Sequence, residues 1–436
     1  MTDETSVNGT STTDDRLLLV VIVVCSVMLL AGYFLKAQCT GPEGFDGRQY
    51  SRLCYNDIQP LYSFRDVQSN TFPYIHGEFT ADSQLVGGAV EYPVLTGLFL
   101  WFTGLFANDS NSYLKVNALF LMPFGLMTAY LLGRMSGARA LMWAASPALI
   151  WYSFHNWDLL VVASVAAGLW SWHRGKNVAA AVWFGVGCAL KMYPILFVVP
   201  VALERWHAGK RSDAGKVFAA GAGTALALNL PFMLINFDGW WATYAFHKAR
   251  GPNFDSIWGL LGDGSTSQWL FMPKINLTVA ALTLTWFAFA LLAGWWRAKR
   301  DGVYPTLQVM GALLVTFLLW NKVHSPQYTL WLLPFFVVLR VNVLWWLAYA
   351  AVDTLAYVGI FKWFYDISYE AQFFATPAKN AMVGAVWARA VLLLVLFVVF
   401  LLSRPARDRA LDPPGESEPA LLSHPSPSLR TAGDPA

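Results

Sequence analysis

Long apolar runs alternate with short basic turns through most of the chain. Runs at 16–36, 112–133, 217–236, 275–296, 342–361 and 380–402 come close to or reach the ~20 residues that carry a helix across a bilayer. Shorter runs at 140–154, 157–172, 178–190, 192–204, 306–320 and 327–339 fall below that length, as helices bordering an aqueous cavity do. The run at 92–107 is broken by Pro93 and Gly97, so it is expected to lie on the membrane face without crossing. The pattern predicts an all-α polytopic membrane protein with about 12 transmembrane helices.

Composition agrees. The 436 residues are 56% hydrophobic and only 13% charged, with a mean hydropathy of +0.44, which is too much apolar surface for a water-soluble fold. The 21 Trp, 17 Tyr and 30 Phe suit the boundary between hydrocarbon and water. A net charge of +3 decides nothing, whereas the placement of the basic residues does. Arg134 and Arg139, Arg174 and Lys176, Arg205 to Lys216, Arg297 to Arg300, and Arg404, Arg407 and Arg409 fall on one side only if 92–107 does not cross. This predicts a multi-pass plasma-membrane protein with both termini cytoplasmic and with 37–91 and 237–274 as outer segments. Met1–Asp15 lacks a basic n-region, so 16–36 reads as a retained span and 16–402 as one membrane domain. The tails 1–15 and 403–436 are expected to be disordered.

The candidate chemistry gathers on the outer side. Between Ala37 and Gly88 the chain carries Asp46, Asp57, Asp66, Glu78 and Asp82 beside Arg48, Arg52 and Arg65. Any one of these carboxylates is most simply a solubilising group, but Asp57 sits among Tyr55, Ile58, Leu61 and Tyr62, where partial burial would raise its basicity. Lys191 interrupts an apolar run and needs water, a carboxylate or a phosphate; Tyr193-Pro194 marks a bend beside it. His155 and Asp158 share the turn His155-Asn156-Trp157-Asp158, where Asp158 either caps a helix or serves the site. Lys322, His324 and Gln327 share a turn that Pro326 stops from continuing as helix. Glu91 stands at the outer rim, as a cap or as a ligand. Cys39 and Cys54, both on the outer side, are a candidate disulfide, and Cys25 and Cys188 read as apolar packing. The chain has no Gly-rich phosphate loop, no metal-spaced His/Cys cluster and no Asp-x-Asp pair, so neither a metal nor another cofactor is expected, and no nucleic-acid partner.

The order Asn56-Asp57, Glu91-Tyr92-Pro93-Val94-Leu95-Thr96-Gly97, His155-Asn156-Trp157-Asp158, Lys191-Met192-Tyr193-Pro194 and His324-Ser325-Pro326-Gln327-Tyr328 resembles the actinobacterial membrane glycosyltransferases of family 87. It is similar in layout to their polyprenyl-phosphate-mannose-dependent mannosyltransferases. The resemblance implies a GT-C fold and inverting transfer of a sugar, mannose by majority. Donor and acceptor would be a polyprenyl-phosphate sugar and a lipid-linked or cell-envelope glycan, met among membrane lipids. It implies Asp57 as base and His324 as a substrate-binding residue.

The residues suit that chemistry. A lipid-linked sugar monophosphate leaves as a stable anion and needs a cation more than a general acid, while the acceptor hydroxyl needs a base. Asp57 would be the base, Lys191 and Lys322 the phosphate partners, and His324 an orienting group. The rival reading is a lipid or solute transporter, which calls for charges through the span centres and an inverted repeat; the sequence displays neither.

Overall fold

The computed structural model describes residues 7–41, 46–262, 268–369 and 376–407. The chain begins with α1 (Val7–Ala37), whose helical backbone starts inside the segment expected to be a disordered tail. The polar stretch after it holds α2 (Arg48–Ser51), α3 (Ile58–Phe64) and a hairpin pairing β1 (Glu78–Phe79) with β2 (Leu85–Val86), so the fold is not purely helical. Cys39 and Cys54 form a disulfide in this stretch. The doubtful run 92–107 becomes α4 (Val94–Gly104), 11 residues long and too short to cross a bilayer. A Cβ on Gly97 would stand 2.0 Å from the Tyr74 hydroxyl, so glycine is what lets the polar stretch seat against α4.

α5 (Ser110–Ser136) opens on a capping box: Asp109 accepts from the Ser112 amide and Ser112 Oγ from the Asp109 amide. The run 140–154, expected as one span, is instead a 3₁₀ turn at Gly137–Ala140, α6 (Leu141–Ala144) and α7 (Pro147–Tyr152). Ser146 caps α7 and Pro147 occupies its first turn; Pro lacks an amide proton and cannot continue the preceding helix. Then follow α8 (Asp158–His173), α9 (Asn177–Leu190), a 3₁₀ turn Tyr193–Phe197 leading into α10 (Val198–His207), and α11 (Arg211–Ile235). The expected second outer segment is itself helical, with α12 (Phe237–Ala249) and α13 (Ile257–Leu261), and α14 (Gln268–Asp301) already begins inside it. α15 (Thr306–Trp320), α16 (Thr329–Val338), α17 (Val343–Tyr369) and α18 (Pro377–Leu402) complete the chain.

Among the described residues six helices are long and apolar enough to cross a membrane: Asp15–Ala37, Ser110–Ala144, Arg211–Ile235, Lys274–Asp301, Val343–Tyr369 and Pro377–Leu402. The other expected spans are shorter apolar helices packed among them, and a count of 12 does not follow from length alone.

One pole of the bundle gathers helix C-termini that arginines satisfy. The Arg139 guanidinium donates to the carbonyls of Phe336, Val337, Leu339 and Val341 at the end of α16. Arg297 does the same for Leu401 and Ser403 at the end of α18, as cations at helix C-termini should. Ser403–Arg407, expected to open a free tail, is anchored there: the Arg340 amide donates to Arg404 and the Ala406 amide to Val338. The rest of that tail, from 408, lies outside the described residues.

Candidate active site

The opposite pole holds a cavity of about 700 Å³, within the size range of ligand sites. The polar stretch contributes Asp57, just past the disulfide-closed loop and at the start of α3. Its amide donates to the His155 carbonyl (2.7 Å), tying the stretch to the turn between α7 and α8. Tyr55 Oη donates to Asp57 Oδ1 (3.0 Å) and Asn156 Nδ2 to Oδ2 (2.9 Å). Asn156 Nδ2 also donates to the Tyr92 hydroxyl (2.7 Å). Asp57 has no cationic partner within ion-pair distance among the described residues. Burial raises the Asp57 carboxyl above its ordinary range; the hydrogen bonds from Asn156 and Tyr55 pull it back in part, the Glu91 charge pushes it up and the Lys191 charge down. A half-buried carboxylate with raised basicity is what a proton acceptor requires.

Behind this loop Lys36, at the end of α1 and fully buried, donates to the Tyr55 carbonyl and to the Tyr357 hydroxyl, both at 2.7 Å. Tyr357 passes a hydrogen bond on to the Leu53 carbonyl (2.9 Å). The lysine at the end of the first apolar run reads from the sequence as a flanking charge; in the fold it is the strut of the Asp57 loop.

Lys191, Tyr193, Glu91, His155 and Gln327 line the cavity with Asp57. Lys191 is not free for a phosphate. Its Nζ stands 3.0 and 3.1 Å from the two oxygens of Asp158, which is wholly buried and also accepts from the Trp331 indole (2.7 Å). The rings of Tyr92, Tyr328 and Trp331 surround the ammonium at 5.3 to 5.5 Å. Tyr193 stacks on Trp331 with centroids 4.3 Å apart. Asp158 is the lysine's counter-ion, behind the cavity wall, and not a separate ligand. Glu91 is likewise spoken for: Arg65 grips it with contacts of 2.5 and 3.3 Å.

Lys322 and His324 lie outside the cavity lining. Lys322 Nζ donates to the carbonyls of Lys248 (3.1 Å) and Arg250 (2.7 Å), closing the C-terminus of α12; burial, then the Arg250 charge, lowers its pKa to about 8. His324 exchanges backbone bonds with the Asn253 side chain (2.9 and 3.0 Å). Its Nδ1 donates to the Leu318 carbonyl (3.1 Å), which can only accept, so the buried and unpartnered Nε2 is left as an acceptor. Burial, then the Arg389 charge, drives the His324 pKa well down. Burial and then the Lys36 charge do the same to His155, whose Nδ1 is also unpartnered. Neither ring is a cation at neutral pH. The pair Lys322 and His324 therefore clips the 321–325 turn to the 248–256 segment.

That clip positions a residue the sequence reading passed over. Arg250 lines the cavity, its guanidinium 5.7 Å from the Phe246 ring centroid, and it has no carboxylate within ion-pair distance among the described residues. Beside it His247 Nε2 donates to the Glu91 carbonyl (2.8 Å), and burial lowers its pKa to about 4. A signal was present: His247-Lys248-Ala249-Arg250 puts basic residues on the side that the positive-inside pattern leaves poor in cations.

The polar pole of this bundle of apolar helices thus brings a carboxylate of raised basicity to the same cavity as a guanidinium that has no carboxylate within ion-pair distance among the described residues. Residues 91–326 match the model of Glycosyltransferase family 87, more than half of the chain, and the chain belongs to that family. It is similar to GPI mannosyltransferase 1 of Saccharomyces cerevisiae, 22% identical over 283 residues that cover 57% of this chain and 66% of that protein. Its likeness to GPI mannosyltransferase 1 of Eremothecium gossypii is 24% over 250 residues, 50% of this chain and 57% of the relative. The chain thus spans less than two thirds of the length of the curated relatives it matches. Among solved structures the apo oligosaccharyltransferase of Archaeoglobus fulgidus gives a TM-score of 0.40 at 13% identity, covering 87% of this chain and 56% of that one, a likeness too slight to bear on the fold.

Proposed function

We propose that the protein is an inverting glycosyltransferase of GT-C type that moves a sugar, mannose, from a polyprenyl-phosphate donor to a lipid-linked or cell-envelope glycan at the outer face of the membrane. The observation that carries the reading is Asp57: a carboxylate without a counter-ion among the described residues, hydrogen-bonded by Tyr55 and Asn156, raised in basicity and facing the same cavity as Arg250. The acceptor hydroxyl oxygen attacks the anomeric carbon and gives its proton to Asp57, as the bond from that carbon to the phosphate oxygen breaks from the other face. The electron pair leaves on the phosphate, and the Arg250 guanidinium holds the charge that accumulates there. Lys191, neutralised by Asp158 and caged by rings, sets the potential beside Asp57 and shapes the wall. The names of the relatives support mannose as the sugar. Family membership and the helices long enough to cross a membrane support a membrane site, and the basic pole opposite the cavity supports an outward-facing one.

The test is transfer by purified protein in lipid nanodiscs. A labelled polyprenyl-phosphate mannose and a membrane glycolipid extract should give a labelled product with wild-type protein and roughly 10²-fold less, or lower still, with Asp57→Asn, which retains donor binding. A product of equal yield with Asp57→Asn would remove Asp57 as base.

A further inference from the structure

From Asp57 an unbroken series of rings runs along the cavity wall. Tyr55 stacks on Phe361 (centroids 5.3 Å apart, planes at 30°) and on Tyr50 (6.0 Å, 20°). Tyr50 meets Phe364 edge-on at 5.7 Å, and Phe364 meets Phe254 at 6.3 Å. All five rings line the cavity. The next residue, Asp255, lines it too, is only 4% exposed, and its Oδ2 has no hydrogen-bond partner. The Arg389 guanidinium donates to the Asp255 backbone carbonyl, fixing the residue without making a side-chain ion pair with it among the described residues. Burial raises the Asp255 carboxyl to about 6, against the Arg389 charge, so it is mostly ionised at neutral pH. Lys36, behind the Tyr55 end of the arc, donates to the Tyr55 carbonyl and the Tyr357 hydroxyl, and Lys362, beside Phe361, donates to the Ser51 carbonyl.

We propose that this arc, closed by Asp255, is a carbohydrate subsite that holds the glycan of the acceptor; the assignment of the glycan to the acceptor rests on the glycosyl-transfer reading above. A hexose has a face of C–H bonds, which an aromatic ring covers, and vicinal hydroxyls, which a carboxylate can accept as a pair. Rings beside a buried carboxylate oxygen without a partner meet both needs. A phosphate would be repelled by Asp255, and a hydrocarbon tail would leave that oxygen desolvated and unsatisfied. The phenol of Tyr55 links the subsite to the base, because it donates to Asp57 Oδ1 (3.0 Å). A sugar stacked on the Tyr55 end therefore presents a hydroxyl to the carboxylate.

Two measurements on full-length protein in nanodiscs test this. In saturation-transfer NMR with methyl α-mannoside as probe, wild-type protein should give a saturable signal. Phe364→Leu, which keeps apolar volume but removes the ring, and Asp255→Asn should each weaken it about tenfold, the scale of one lost stacking or charged hydrogen-bond contact. In transfer assays the same variants should raise the KM for acceptor about tenfold and leave the KM for donor within twofold. If Phe364→Leu lowers the thermal midpoint, Tyr50→Leu takes its place. Absence of a saturable signal from wild-type protein overturns the subsite while leaving transfer by Asp57 standing. A rise in donor KM with acceptor KM unchanged also overturns it and assigns the arc to the lipid chain. Saccharide binding that both variants weaken, in a protein that transfers no sugar from any polyprenyl phosphate, upholds the subsite and refutes the proposed reaction.

Discussion

Lys191→Ala discriminates sharply between two roles for this lysine. If Lys191 were a phosphate ligand, its loss would weaken donor binding and leave stability unchanged. The structure predicts the reverse emphasis, because Asp158 is 0% exposed and its counter-ion Lys191 only 11% exposed. Removing the cation leaves the Asp158 carboxylate with the Trp331 indole at 2.7 Å as its remaining strong donor. Breaking a buried pair from one side costs about 3–5 kcal/mol. Since Lys191 borders a cavity that admits water, we expect the lower end, about 3 kcal/mol. The double variant Lys191→Met with Asp158→Asn leaves no uncompensated charge, and Trp331 can still donate to the amide oxygen, so it should recover most of that loss with a coupling of about 2–3 kcal/mol. Equilibrium unfolding in mixed micelles, followed by tryptophan fluorescence for wild type, both single variants and the double variant, gives the cycle directly. A Lys191→Ala protein within about 0.5 kcal/mol of wild type, with a double variant no more stable than either single one, would refute the reasoning and return Lys191 to the phosphate.

Asp57→Asn should lower transfer by roughly 10² or more with donor binding retained, as expected for loss of a general base; single-turnover assays with equilibrium donor binding check it. The pH profile follows from the raised Asp57 carboxyl: transfer requires the ionised form, so the rate should rise with pH along a limb above the ordinary carboxylate range. Tyr55→Phe removes a hydrogen bond that favours the charged form and should move that limb further up, whereas an unmoved limb would detach it from Asp57. Cysteine probes at Asn70 should react with an impermeant reagent from outside, and probes at Gly209 and Gly302 only after permeabilisation; outside labelling at Gly209 would invert the orientation. Reduction of the Cys39–Cys54 bridge, which closes a separation of 15 residues, should destabilise the loop by about 3 kcal/mol on the chain-entropy model and reduce transfer without abolishing it, as thermal melts and assays with and without reductant would reveal.

The apolar runs carried much of the fold because burial in hydrocarbon leaves a chain few options but helix. The ends of α5, α8, α9, α15 and α18 fall within a few residues of expectation, and α17 starts where expected but runs on past 361 to Tyr369. The run 140–154 failed because Ser146-Pro147 is a helix start inside an apolar stretch, a local signal that hydrophobicity alone outweighs. The 403–407 segment failed because its partners, Val338 and Arg340, are remote in sequence.

Asp57 was legible because a carboxylate among apolar neighbours in a polar loop is anomalous within ten residues of chain. The grouping of arginines at one pole was legible too, since charge in short loops is a local property. The sequence by itself thus determined where most of the long helices lie, which turns are basic, and that one polar stretch carries a carboxylate among apolar neighbours. Only the tertiary structure decided who neutralises whom. Lys191 meets Asp158 across 33 residues of chain and Lys36 meets Tyr357 across 321, and Arg250 is left without a carboxylate at ion-pair distance among the described residues because Lys322 and Asn253 hold its segment at the cavity while Arg65 occupies Glu91. Charge type is a property of each residue, but the availability of a charge depends on what packing places within a few ångströms of it, and in a helical bundle those neighbours come from helices distant in the chain.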